Sequence, residues 1–304
     1  MIQRLALIGM GLIGGSLSLA LKQRGLVQEV VGYSRQLQTR LRARELGIID
    51  VPVDSVAEAV SGADVVFVAT PVQAMAGVFQ AMAGTLSPDA LITDGGSVKG
   101  AVVTAAEHAL SQDQFAQFVP GHPIAGTERS GPDAAFAELF VSHRVILTPT
   151  SANSAAMIRR AEDLWRSVGA QVEKMGVAHH DHILAATSHL PHVAAFSLVS
   201  ALSRLEERYE VFRYAAGGFR DFSRIASSDP AMWRDICLTN RDELLPMLDH
   251  YLAELHQMRS LIDQRDSQGI EQMFVGAKAV RDALYRPIEP QSNSSDSGAE
   301  SPRS

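Results

Sequence analysis

The residues nearest the N-terminus with chemical content are glycines. Arg4 to Ile8 is a short apolar run, followed by Gly9-Met10-Gly11-Leu12-Ile13-Gly14-Gly15-Ser16 and a helical pattern from Leu17 to Lys22. G-x-G-x-x-G after a strand and opening a helix suits a dinucleotide: Gly9 for the tight turn, Gly11 for close approach of a pyrophosphate, Gly14 for helix–strand packing. Free N–H groups at the helix N-terminus then face the phosphates. The alternative is a glycine-rich turn with no ligand. A second apolar run, Val27 to Tyr33, ends in Ser34-Arg35, where an NAD-specific unit would carry an acid for the ribose 2′-hydroxyl. A guanidinium grips a 2′-phosphate that a carboxylate would repel, so NADP is the preferred cofactor expected, with NAD as second choice. A surface arginine opening the next helix is the bland reading of Arg35. Further on, His122 precedes Pro123. A residue before proline is pushed out of the helical region, so this imidazole is expected on a stiff loop.

These groups need elements to hold them. Gln36 to Leu46 reads as a helix stopped at Gly47. Ala63 to Ala69 is a continuous apolar strand, as in a parallel sheet buried on both faces. Thr70-Pro71 ends it and starts a helix through Met82. Ala90 to Thr93 is a further strand, running into Asp94-Gly95-Gly96-Ser97-Val98-Lys99-Gly100 and a helix to about Leu110. Alternation of strand and helix points to a doubly wound parallel sheet of Rossmann type. Its ligand crevice lies outside the carboxyl ends of the strands, where the loops at Gly9, Ser34, Thr70 and Ser97 all emerge. Leu12, Ile13 and Pro71 complete the expected cofactor-binding set. Val145 to Leu147 and Gln171 to Met175 read as the last strands, with an amphipathic helix over Ser154 to Val168.

The dinucleotide-binding domain is therefore expected over 1–176 and an all-α domain over 177–286. Ala178 to Leu205 is one long helical pattern kinked at Pro191, with Glu206 to Phe212 as a possible extension. Asp229-Pro230 opens another helix as N-cap and first position, and Arg241 to Asp266 and Gly269 to Tyr285 give two more. Residues 287–304, rich in Ser, Pro, Asn and Glu, are expected to be disordered.

A formal net charge of −7 disfavours a general nucleic-acid binder. One cysteine, Cys237, leaves no internal disulfide framework. No signal peptide opens the chain, and no apolar run is read as reaching the roughly 18 residues of a membrane span, so a cytoplasmic protein without membrane contact is expected. His179, His180, His182, His189 and His192 crowd one helix, but spread over several faces with no cysteine or carboxylate cluster, so no metal is expected.

Taken together, G-M-G-L-I-G-G-S, D-G-G-S-V-K-G, G-H-P-I-A-G-T-E-R-S-G, S-H-L-P-H and G-G-F-R-D-F-S-R-I-A-S-S-D-P-A-M-W resemble, in order and spacing, the prephenate and arogenate dehydrogenases (TyrA family) of tyrosine biosynthesis. The resemblance covers about residues 1 to 285. It implies an enzyme that removes a hydride from a cyclohexadienol to NAD(P) with loss of carbon dioxide, giving 4-hydroxyphenylpyruvate from prephenate or tyrosine from arogenate. By the same resemblance His122 is the catalytic base, against a loop-structuring histidine. Ser97 hydrogen-bonds the substrate hydroxyl and the imidazole; alone it would read as a helix N-cap. Arg224 binds a substrate carboxylate, against a surface arginine paired to Asp221, which can also orient it. His189 and His192, of which His192 is the better candidate, line the pocket at the side-chain end, against core histidines capped by carbonyls; Thr127 and Glu128 form its edge, with Glu128 able to gate entry. Trp233 is an aromatic near the pocket or ordinary helix packing.

The family implies a homodimer through the helical domain. Two other readings stand beside it: another two-domain dehydrogenase such as a 3-hydroxyacid dehydrogenase, and a non-catalytic NADP-sensing protein. The chain begins at the first strand and ends soon after Tyr285, so neither a fused chorismate mutase nor a C-terminal regulatory domain is expected, and any tyrosine feedback would act by competition.

Overall fold

The computed structural model describes residues 1–284; the expected disordered tail, 287–304, lies outside the described residues. The first half alternates as expected: β1 (Ile2–Ile8), α1 (Leu12–Gln23), β2 (Val27–Tyr33), α2 (Leu37–Glu45), β3 (Val51–Pro52), α3 (Val56–Val60), β4 (Val65–Val68), α4 (Met75–Met82), β5 (Leu91–Asp94), α5 (Lys99–Ala109) and α6 (Gln112–Gln117). β3 and α3, two and five residues long, were too short for periodicity to reveal.

Five strands form a sheet in the order β3-β2-β1-β4-β5, all parallel. Successive side chains point to opposite faces. Leu5, Leu7, Val30, Val65, Phe67 and Leu91 pack on one side with Leu17 and Trp165, while Ala6, Ile8, Val31, Val66, Val68 and Ile92 pack on the other with Phe79 and Val102. Both faces are buried, which is why the strands read as uninterrupted apolar runs. Ile8 pairs with Tyr33 and Val68, and Val68 with Asp94. The loops after these residues therefore leave one edge at one level. The winding reverses beside β1, so the Gly9 loop opens the crevice.

The second sheet departs from expectation. β6 (Gly121–Ile124), β7 (Arg144–Leu147) and β8 (Gln171–Lys174), with α7 (Ala155–Ser167) between the last two, form a three-stranded sheet in which β6 runs antiparallel to β7. A parallel bridge from Ile92 to Phe118 links it to the first. His122 thus lies in a strand rather than a loop. The extended backbone that Pro123 imposes on it is strand geometry, and β6 is an outer strand, where a proline without N–H is tolerated.

Beyond Gly176 every element among the described residues is helical: α8 (Val177–Leu184), a π turn (Ala185–His189), α9 (Leu190–Ser203), α10 (Arg208–Arg213), α11 (Gly217–Ser223), a 3-10 turn (Arg224–Ser227), α12 (Pro230–Thr239), α13 (Arg241–Asp263) and α14 (Ser267–Leu284). The long helix expected over 178–205 widens into the π turn directly before Pro191. A missing N–H there is accommodated by local rewinding. The segment over 206–212 is the separate α10. Val177–Ser203 is, by length and composition, apolar enough to cross a membrane, contrary to the reading above. Its buried side chains include His180, Asp181 and His189, and Asp181 accepts backbone N–H groups of α5.

By compactness alone the chain falls into two units that meet after Leu248. The first unit, Met1–Leu248, contains both sheets and the helices through α12, because α8 is tied to α5 and α12 packs on the turn Val72–Ala74. The second begins at Asp249, within α13, and includes α14.

Candidate active site

The three fingerprint glycines have separate steric duties. Gly9 has φ +98°, and a Cβ on it would lie 2.4 Å from the Ala69 carbonyl oxygen. A Cβ on Gly14 would lie 2.1 Å from the Gly9 carbonyl oxygen and 3.1 Å from Leu7, so α1 seats against β1 only with glycine there. Gly11 is the N-cap of α1, without a capping side chain, and nothing approaches its Cβ position within 4 Å. Uncapped N–H groups over an open glycine fit a pyrophosphate. Thr70 Oγ1 is buried without a protein partner beside this loop. Leu12 is buried, Ile13 and Ser34 are half-buried, and Pro71 is exposed. Arg35 is exposed and makes no ion pair among the described residues. Arg40, five residues on, is committed to the Val53 carbonyl at 2.7 Å and to Asp54 at 2.9 Å.

A buried charge network stands at the end of β5. Asp94 accepts from Lys99 Nζ at 2.5 Å, from Gly96 N–H at 2.7 Å and from Gly121 N–H at 3.1 Å. Lys99 Nζ also donates to the Gly121 carbonyl at 2.6 Å. Neither side chain of the pair is exposed. Burial lowers the Lys99 pKa, opposed by the Asp94 charge and hydrogen bond. This pair clamps both polar groups of Gly121 and so places the next residue, His122.

His122 Nδ1 lies 2.8 Å from His180 Nε2, and His180 Nδ1 lies 2.7 Å from Asp181 Oδ1. Asp181 accepts the backbone N–H of Lys99 at 2.8 Å and of Gly100 at 2.7 Å. Burial would raise the Asp181 pKa, but His180 and these two backbone donors hold it below the usual carboxylate value. Burial, then the neighbouring His180, Lys99 and His189, hold the His122 imidazole well below its ordinary pKa. Burial likewise lowers His180, against Asp181. The His122 imidazole is thus neutral at neutral pH.

Ser97 is half-buried and is not a helix cap: Val98 takes that position, and the Ser97 hydroxyl has no partner among the described residues. Nearby, Val98 packs with Trp233 and Ile236. Trp233 stacks on His192 with centroids 3.5 Å apart and 18° between planes, and meets His189 edge-on at 6.1 Å. So His189, His192 and Trp233 do converge. Burial lowers His192, with the Arg224 charge acting in the same direction and the Ser188 carbonyl opposing. Asn240 Nδ2 bridges the Asp181 carbonyl at 2.9 Å and His189 Nδ1 at 3.0 Å.

Arg224 meets Glu128 at 3.5 Å, not Asp221. Arg224 opens the 3-10 turn that follows α11, and its guanidinium reaches across to the Glu128 carboxylate rather than back to Asp221. Asp221 is exposed and does not orient Arg224. Thr127 is exposed and accepts the Arg129 N–H through its hydroxyl at 3.2 Å. Of the other histidines, His179 is exposed and His182 pairs with Glu243 at 2.8 Å.

Sequence reading missed Asp94, Lys99, Asp181 and Asn240, and met His180 only as a metal candidate. A signal existed in D-G-G-S-V-K-G: two opposite charges flank a loop that leaves a fully buried strand. Such charges are expected to be paired. His180-Asp181 carried no comparable signal, because its partner lies 58 residues away.

Residues 17–174 match the nucleotide-binding domain of prephenate dehydrogenase and residues 177–275 its dimerization domain. The chain is 42% identical to the cyclohexadienyl dehydrogenase of Zymomonas mobilis, over 93% of this chain and 96% of that protein. It is 38% identical to the prephenate dehydrogenase of Bacillus subtilis, over 91% and 75% respectively. The crystal structure of Aquifex aeolicus prephenate dehydrogenase with hydroxyphenyl propionate and NAD+ superposes with a TM-score of 0.85 at 34% identity, covering 93% of this chain and 99% of that one. With a glycine cradle for a dinucleotide, a neutral buried-edge histidine and both halves matched in order, the chain belongs to the prephenate dehydrogenase family.

Proposed function

We propose that this enzyme oxidatively decarboxylates prephenate in preference to arogenate, with NADP preferred over NAD, in tyrosine biosynthesis. The observation that carries the reading is the neutral imidazole of His122, held beside the crevice through Gly121 and Asp94. A nicotinamide cofactor held over the Gly9, Gly11 and Gly14 cradle would supply the hydride acceptor for the hydroxyl-bearing ring carbon. His122 accepts the hydroxyl proton as the carbon–oxygen double bond forms. It returns that proton when the electrons of the breaking C–CO2 bond enter the ring and make it aromatic. The free Ser97 hydroxyl hydrogen-bonds the same oxygen. Arg224 exchanges its long, exposed contact with Glu128 for a substrate carboxylate. Thr127 and Glu128 form the pocket edge.

The substrate preference rests on His189, His192 and Trp233 as the wall around the side-chain end. The Asp181 carbonyl accepts from Asn240 Nδ2, so that nitrogen donates to His189 Nδ1 as well. The His189 proton is then on Nε2. His189 Nε2 and Trp233 Nε1 are both buried donors without protein partners. Two unpaired donors suit the oxo and carboxylate oxygens of a pyruvyl side chain and disfavour an ammonium. Support for NADP comes from the unpaired Arg35 and the lack of an acid beside it. The match of 177–275 to a dimerization domain supports a homodimer, and the two matched models support a functional division at Gly176. Small water-soluble reactants support a cytoplasmic setting. The 3-hydroxyacid and NADP-sensing alternatives have no such support.

Reduced-nicotinamide absorbance, followed with each substrate and each cofactor, tests the whole. Turnover is expected with both substrates and a higher kcat/KM for prephenate. No reduced cofactor with either substrate removes the proposal, and a higher kcat/KM for arogenate overturns the side-chain assignment.

A further inference from the structure

The structure assigns His180 and Asp181 as positioning residues that fix the tautomer of His122 and share the charge it gains, an inference that rests on His122 being the base proposed above. The argument follows hydrogens. Asp181 accepts two backbone N–H groups, from Lys99 and Gly100, and its carboxylate is ionised, so it can only accept from His180. The His180 proton therefore sits on Nδ1, 2.7 Å from Asp181 Oδ1. Its Nε2 is left as a lone pair. That lone pair lies 2.8 Å from His122 Nδ1, which must supply the hydrogen. His122 consequently carries its proton on Nδ1 and presents an unprotonated Nε2.

A free imidazole is shared between two tautomers, and only one of them has its lone pair on Nε2. Three consecutive hydrogen bonds hold that form. When His122 takes the substrate proton on Nε2, its Nδ1–H still donates to His180, and the positive charge lies in line with the Asp181 carboxylate. No further proton leaves the site, and the same path returns the proton to oxygen. The geometry is stiff. His180 is fully buried, Asp181 is nearly so, and Asn240 holds the Asp181 carbonyl as well. The groups facing His180 are Asp181 and His189 from its own helical stretch, Lys99 from α5, Asp94 from β5 and His122 from β6.

The test separates a hydrogen-bond role from a packing role. Glutamine at 180 can accept from His122 through its oxygen and donate to Asp181 through its nitrogen; phenylalanine fills the space and does neither. His180→Phe is expected to lower kcat roughly tenfold to a hundredfold with KM within about threefold. His180→Gln should recover at least about tenfold of that loss. Asp181→Asn should lower kcat by a similar factor to His180→Phe, because an amide cannot accept on both oxygens' positions. Imidazole 15N spectra of the whole enzyme, with the His122 signals assigned by their loss in His122→Asn, should show the Nδ1–H tautomer, and the Nε2–H tautomer overturns the inference. Equal kcat for His180→Phe and His180→Gln, with His122→Asn inactive, also overturns it while leaving the base. Wild-type turnover in His122→Asn removes the base itself.

Discussion

Lys99 Nζ binds Asp94 Oδ2 at 2.5 Å with both side chains fully buried, and the same ammonium holds the carbonyl of Gly121, one residue before the catalytic candidate His122. An ion pair of this kind is no stability bonus by itself, but removing one partner strands the other charge in the interior. Lys99→Met is therefore expected to lower unfolding free energy by about 3–5 kcal/mol. Asp94→Asn/Lys99→Met should lose less than the sum of the single variants. Urea unfolding measures both, and a loss below about 1 kcal/mol in Lys99→Met would contradict the account.

Gly11 and Gly14 separate binding from folding. A methyl on Gly14 meets the Gly9 carbonyl oxygen at 2.1 Å, and one on Gly11 meets nothing in the protein. Gly14→Ala should lose about 1–3 kcal/mol of stability. Gly11→Ala should melt with the wild type yet bind dinucleotide at least about tenfold more weakly, since its methyl occupies the approach of a pyrophosphate. Thermal melts and fluorescence titration with NADPH read the two effects. Wild-type affinity in Gly11→Ala would place the phosphates elsewhere.

Arg35, just past the end of β2, has no ion-pair partner among the described residues, whereas Arg40 is held by the Val53 carbonyl and Asp54. A charge-assisted hydrogen bond is worth about 1.5–3 kcal/mol, so Arg35→Ala should cut the NADP-to-NAD ratio of kcat/KM by about tenfold to a hundredfold. Kinetics with each cofactor decide this, and an unchanged ratio means that Arg35 does not read the 2′-phosphate.

Burial pushes the His189 pKa from 6.5 down to about 4. The folded state therefore resists a proton that the unfolded chain accepts. This contribution is complete above the unfolded value of 6.5 and is lost progressively as pH falls to about 4. It amounts to about 3 kcal/mol. Urea midpoints should drop across this window, and His189→Gln should flatten the drop. A slope identical to wild type in that variant would show that His189 is not the group responsible.

Much of this was legible in the sequence because it is local. Gly9, Gly11 and Gly14 announce their duties by spacing alone, and the unbroken apolar run before Thr70 announces a strand buried on both faces. His122 was legible as a fixed histidine because proline restricts its neighbour, although that restriction produced an edge strand instead of a loop. Family likeness supplied Ser97, Arg224, His189, His192 and Trp233; the structure brings His189 and His192 against Trp233 and pairs Arg224 with Glu128 rather than Asp221.

The sequence by itself determined the cradle, the alternation of strands and helices, and the residue types available for catalysis, since each depends on neighbours within about two helical turns. Only the tertiary structure decided which partner each polar group takes. Asp181 meets Lys99 from 82 positions away and His122 meets His180 from 58, and Asn240 joins Asp181 and His189 in one bond set. Buried charges and imidazoles must find partners wherever packing brings them, and hydrophobic packing, which carries no information about hydrogen-bond direction, sets those meetings.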